Sequence, residues 1–156
     1  MLTGSAVAAL LVLAAFSACG PAPEDDLEDA LFATGLTLYL PDVPGADPAT
    51  TKVVEGRVET QYETDGLYAF TLVQRRVPEG DLCAALLAPD HQEGCEARNG
   101  VLRETFEEMS SVAVVRGETV LLIRNLVTEV KPGLLDEVVR ALRGAPEVDA
   151  TDLARP

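Results

Sequence analysis

Between residues 52 and 77 the chain reads as two alternating segments joined by Thr64-Asp65-Gly66. Val54, Val58, Thr60 and Tyr62 share one side of the first segment, and Glu55, Arg57, Glu59 and Gln61 share the other. Successive side chains of an extended strand point to opposite faces, so this pattern predicts a half-buried strand over residues 52–63. Asp-Gly tolerates the positive φ of a tight reversal. Residues 67–77 then return as a strand rich in aromatic and β-branched side chains. An antiparallel pair with one wet and one apolar face is the core of the prediction.

The remaining segments fit around that pair. Residues 25–32 place Leu27, Ala30 and Leu31 at helical spacing with acidic residues in the first turn, where the helix dipole favours them. Gly35 ends this segment, and residues 36–40 alternate as a strand that stops at Pro41. Residues 42–48 form a loop by their proline and glycine content. Asp81 is placed to cap a short helix over 82–87 that carries Cys83, and residues 89–100 form a polar loop holding His91 and Cys95. Residues 101–109 and 110–115 are strands. Residues 119–127 are nearly continuous apolar, which marks the most buried strand of the sheet. After Pro132-Gly133 comes a helix with Leu134, Leu135, Val138, Val139 and Leu142 on one stripe, stopped by Gly144. Strands joined by short turns with a long final helix predict an α+β fold rather than α/β: a single small domain with an antiparallel, meander-like sheet and helices on one face, including the C-terminal amphipathic helix. The globular domain is expected over 25–145, with a loosely ordered tail over 146–156.

The start of the chain is of another kind. Residues 1–18 hold no charged side chain, and residues 6–16 are an unbroken apolar run that is too short to span a bilayer comfortably. Either the start lies upstream or the amino-terminal ammonium supplies the positive charge usual before such a run. Phe16-Ser17-Ala18-Cys19 follows: a bulky apolar residue, two small residues that let a peptidase approach, then cysteine. This resembles the lipobox of bacterial lipoproteins, with phenylalanine where leucine is usual. The resemblance covers the signal segment only. It implies removal of residues 1–18, lipid on Cys19, a tether over 19–24, and a membrane-attached protein facing outside the cytoplasm. Each buried methylene of an acyl chain contributes about 0.8 kcal/mol, so more than one chain is needed for stable anchoring.

Cysteine arithmetic agrees with that reading. Three cysteines would leave an exported protein with an odd thiol. With Cys19 acylated, Cys83 and Cys95 remain as a pair in an oxidising compartment. Closing the loop between them would stabilise by about 3 kcal/mol on the chain-entropy argument. The competing metal or redox pair is disfavoured by spacing far from Cys-x-x-Cys.

The formal charge of −14 opposes binding to nucleic acid or to anionic headgroups. The arginines are scattered along the chain, with no concentrated basic run. His91 is the single histidine, and its loop matches no metal-ligand spacing. Ser110-Ser111 is ordinary strand-junction chemistry outside any Gly-x-Ser-x-Gly. Glu107 and Glu108 are adjacent on a strand and so face opposite ways. Asp25-Asp26 lacks the loop of a calcium hand. Arg75-Arg76 ends a strand and could offer one guanidinium to an anion, against the plainer reading of charge pairing. No metal, catalytic residue or cofactor is expected. The sequence thus predicts a lipid-anchored, non-enzymatic binding module for a protein, peptide or small apolar ligand. An envelope enzyme or accessory subunit with dispersed carboxylates, and a carrier of a hydrophobic ligand, stand as alternatives.

Overall fold

A computed structural model describes residues 23–106, 109–127 and 133–155. In chain order the elements are α1 (Pro23–Ala33), β1 (Leu38–Tyr39), β2 (Asp47–Val54), β3 (Arg57–Thr64), β4 (Leu67–Arg76), α2 (Leu82–Leu86), a 3-10 turn (Pro89–His91), β5 (Cys95–Arg98), β6 (Val101–Phe106), β7 (Met109–Arg116), β8 (Thr119–Val127), α3 (Leu134–Gly144), β9 (Glu147–Val148) and α4 (Ala150–Ala154). Seven strands form one sheet in the order β2-β3-β4-β8-β7-β6-β5, and β1 pairs with β9 in a separate two-stranded sheet. All of these pairs are antiparallel. The architecture is α+β, as the alternation predicts.

Three of the hairpins share one turn chemistry. Glu55-Gly56, Asp65-Gly66 and Asn99-Gly100 each place two consecutive residues at positive φ, the geometry that two-residue hairpins need to match strand twist. The Asp65 turn is the one anticipated. At Glu55-Gly56 the expected single strand over 52–63 instead folds back, so that Val54 lies opposite Arg57. Glutamate is a poor turn residue, and the glycine after it was masked by the continuing alternation. Asn99-Gly100 likewise converts part of the expected loop over 89–100 into the β5–β6 hairpin.

Register assigns every strand residue to a face. Leu72 pairs with Thr60 and with Ile123, and Ile123 pairs with Val112. Leu72, Ile123 and Val112 join Tyr62, Phe70, Val114 and Leu121 against Val138, Val139 and Leu142 of α3. The rings of Tyr62 and Phe70 stack with centroids 4.8 Å apart. On the same face Leu38, Val58, Leu31 and Leu153 pack together, bringing α1, β1 and α4 over β3. The opposite face buries Val73, Leu102, Ala113, Val120 and Leu122 under Leu86 of α2. Val120, Leu121, Leu122 and Ile123 are all fully buried, which is why β8 reads as continuous apolar sequence. Thus α3 lies on one face with α1 and α4, while short α2 covers part of the other.

Two expectations about the ends are corrected. The helix begins at Pro23, inside the expected tether, because a proline in the first turn lacks only an N–H that has no intrahelical partner. Residues 146–155 are not a loose tail. Leu38 pairs with Val148 and Tyr39 with Glu147, and Leu153 is fully buried. Arg116 fixes the turn into that segment. Its Nη1 donates to the carbonyls of Leu142, Arg143 and Ala145 at the end of α3, and its guanidinium lies 4.7 Å from the Tyr39 ring centre. Among the described residues no helix is long and apolar enough to cross a membrane.

Candidate functional site

Helix α2 and the loop after it cover the second face over β4, β8, β7 and β6 only. Among the described residues, the wing built from β2, β3 and the near part of β4 is left open on that side. Residues 50, 52, 57, 59, 61 and 71 all emerge there, because Thr50 pairs with Gln61, Lys52 with Glu59, and Gln61 with Thr71. Thr50, Lys52, Glu59, Gln61 and Thr71 line a small groove of about 180 Å³.

Glu59 organises the charges of this wing. Its Oε1 accepts from Arg57 Nε at 2.8 Å, and its Oε2 lies 3.2 Å from Lys52 Nζ. The hydrogen bond from Arg57, followed by the contact with Lys52, holds the Glu59 carboxyl below its ordinary pKa. Arg57 also reaches Glu55 at 3.4 Å. Next to this trio stands Arg124 of β8, which lies opposite Thr71 and donates to the Leu86 carbonyl at the end of α2, at 3.0 Å. Burial lowers the Arg124 pKa, and the neighbouring cations Arg57 and Arg75 lower it further. Arg75 emerges on the same face, two residues from Val73 along β4. The basic residues that look scattered in the sequence are therefore partly gathered by strand pairing.

The residues singled out in the sequence have separate fates. Cys83 and Cys95 are joined, with Cα atoms 6.0 Å apart, and tie α2 to β5. Asp81 caps α2 by accepting from the Ala84 N–H at 2.9 Å, as expected. His91 lies in the loop closed by that disulfide, and its Nδ1 is 3.0 Å from Oε1 of Glu104. Glu104 is 2% exposed and pairs across the sheet with both Cys95 and Ser111. Sequence reasoning missed Glu104, since a glutamate at an alternating position reads as solvated. Ser110 and Ser111 are buried in β7, and Ser110 Oγ is 3.2 Å from Thr105 Oγ1. Arg75 and Arg76 part company: Arg76 turns to the other side and pairs with Glu118 at 3.3 Å. Cys19, Glu107 and Glu108 and the side chain of Asp25 lie outside the described residues, and Asp26 is exposed on α1. Among the described residues no group of three or more His, Cys, Asp or Glu side chains is arranged to hold a metal ion.

Other concavities lie elsewhere on the described residues, and two of them border apolar side chains. One of about 280 Å³ opens beside α3 and is lined by Val43, Pro44, Tyr68, Phe70, Leu134 and Val138. A larger cleft of about 650 Å³ lies between α1 and the β9–α4 segment, below the 83% exposed Phe32. No family model, curated protein or solved structure matches this chain.

Proposed function

We propose that this chain is a lipid-anchored envelope protein, held outside the cytoplasm through Cys19, whose domain is a non-enzymatic module that binds a protein or peptide on the open wing of its sheet. The observation that supports the reading is the unequal covering of the sheet. One face carries α1, α3, α4 and the small sheet, while among the described residues β2 and β3 present the other face uncovered and β2 is the outermost strand of the sheet. An edge strand offers unpaired backbone groups to an extended partner, and alternate side chains on the open face provide specificity. Glu59, whose proton affinity is displaced downward by its cationic partners, has the opposite bias from the raised carboxyl that a general acid needs. A second reading, a carrier of a small apolar ligand, draws on the groove beside α3, whose volume of about 280 Å³ is at the small end for ligand sites.

The anchor and the module are tested separately. Intact mass of the membrane-extracted protein should show loss of residues 1–18 and added acyl mass, and Cys19→Ser should release the protein from the membrane fraction. A product that keeps its methionine, or a serine variant that stays membrane-bound, overturns the anchor. For the module, affinity capture from detergent-solubilised envelope should recover a partner that Gln61→Trp, which obstructs the open wing, no longer holds. Equal capture by both forms overturns the assignment to this face.

A further inference from the structure

The open wing of β2–β4, together with Arg124 at its border, has a charge character opposite to the molecule around it. The chain has 26 acidic and 12 basic residues, yet Lys52, Arg57, Arg75 and Arg124 converge on this surface. The carboxylates that answer them are Glu55 and Glu59. Glu63 lies toward the hairpin tip, where it accepts from Gln61. Glu59 is in ion-pair contact with Lys52 and Arg57, and it acts on Arg124 only through its charge, against the opposing charges of Arg57 and Arg75. Arg75 makes no ion pair among the described residues, and Arg124 gives one hydrogen bond, to a neutral carbonyl. A guanidinium carries five N–H donors in a planar fork that matches a carboxylate. Arg57, Arg75 and Arg124 are close enough that the charges of the first two act on the third. An anion placed among them would relieve that repulsion and fill donors now left to water.

We infer that Arg57, Arg75 and Arg124 form a carboxylate-recognition site, and that the partner of the open wing is an extended peptide segment with spaced Asp or Glu side chains. This rests on the reading of the open wing as the binding surface and names the chemistry of what it takes. Three features select a peptide over other anions. The surface holds a groove lined by the hydroxyls of Thr50 and Thr71 and the Gln61 amide, groups that suit peptide backbone, and its Glu59 and Thr71 adjoin Arg57 and Arg124. The edge of β2, which pairs with no further strand among the described residues, is adjacent. The net charge of −14 repels dense polyanions such as nucleic acid or an anionic bilayer at long range, whereas isolated carboxylates meet the local arginines with little such penalty.

Because consecutive residues of β4 face opposite ways, Arg75 and Arg76 supply a matched control with identical charge. The full chain, purified in neutral detergent, would be titrated by fluorescence anisotropy against a labelled β-prone peptide whose only charged side chains are two Glu residues at alternate positions, and against its Gln counterpart. The Glu peptide should bind about tenfold more tightly. Arg75→Gln and Arg124→Gln should each remove most of that preference, and Arg76→Gln should leave it intact. Circular dichroism melts would verify that all three variants remain folded. Equal binding of the two peptides, or an equal loss with Arg76→Gln, overturns the site. So does competition by millimolar inorganic phosphate as effective as the Glu peptide, which would make it a free-anion site, or tighter binding to vesicles containing anionic lipid. If Gln61→Trp still abolishes partner capture while the Glu peptide shows no preference, the charge assignment fails and the open-wing reading stands. Peptide binding that survives Gln61→Trp fails the wing itself.

Discussion

Gln74 hydrogen-bonds both backbone groups of Tyr39: its Oε1 accepts from the Tyr39 N–H at 2.8 Å, and its Nε2 donates to the Tyr39 carbonyl at 2.9 Å. Gln74 is fully buried and belongs to β4, whereas Tyr39 belongs to the two-stranded sheet. One side-chain amide thus substitutes for the next strand of a ladder and docks the small sheet on the large one. Replacing it with leucine leaves two buried backbone groups without partners, so Gln74→Leu should lower stability by roughly 3 kcal/mol. Urea unfolding measures this. A loss below about 1 kcal/mol would mean that the joint is held by something else.

Leu153 makes the same point from the chain end. It is fully buried against Leu31, Leu38 and Val58, so Leu153→Ala should cost about 2–4 kcal/mol. Removal of residues 147–155 should cost more, since it also exposes β1. Equilibrium unfolding of both variants is the measurement, and a truncated chain as stable as the parent would contradict the packing.

Reduction should weaken one region before the rest. The Cys83–Cys95 bridge closes the loop that carries His91 over buried Glu104. The double variant Cys83→Ser with Cys95→Ser should lose about 3 kcal/mol of stability, with early protease cleavage within residues 84–94. Unchanged stability, or first cleavage elsewhere, would refute this.

Glu59 gives a pH dependence of defined sign. Its carboxyl binds a proton less tightly in the folded protein than in the unfolded chain, chiefly because Arg57 donates to it. Folding therefore favours the ionised form. Its contribution is complete above the ordinary carboxylate value of 4.5 and fades as acid protonates the folded state. Glu59→Gln should be less stable than the parent by about 1 kcal/mol near neutrality, with the two converging in acid. A gap that widens as pH falls would reverse the assignment.

What the sequence determined is what can be read along one strand or one helix. Alternation at 58–62 and 67–77, the Asp65-Gly66 turn, the apolar run of β8 and the stripe of α3 each reflect burial by a single element, and their period survives in the linear order. The pairing of Cys83 with Cys95 followed once the lipobox resemblance set Cys19 apart from the other two cysteines. Tertiary structure decided the matters that depend on two distant segments at once. It determined that Glu104 is buried, because strand pairing sets it between Cys95 and Ser111. It also converted residues 147–154 from apparent tail into a strand and helix, because Leu153 finds its partners more than ninety positions away. Register sent Arg75 and Arg76 to opposite faces and brought Arg57 and Arg124 together on the open one. Burial of one side chain is periodic and local, whereas the meeting of charges is set by which strands become neighbours, and only the folded chain fixes that.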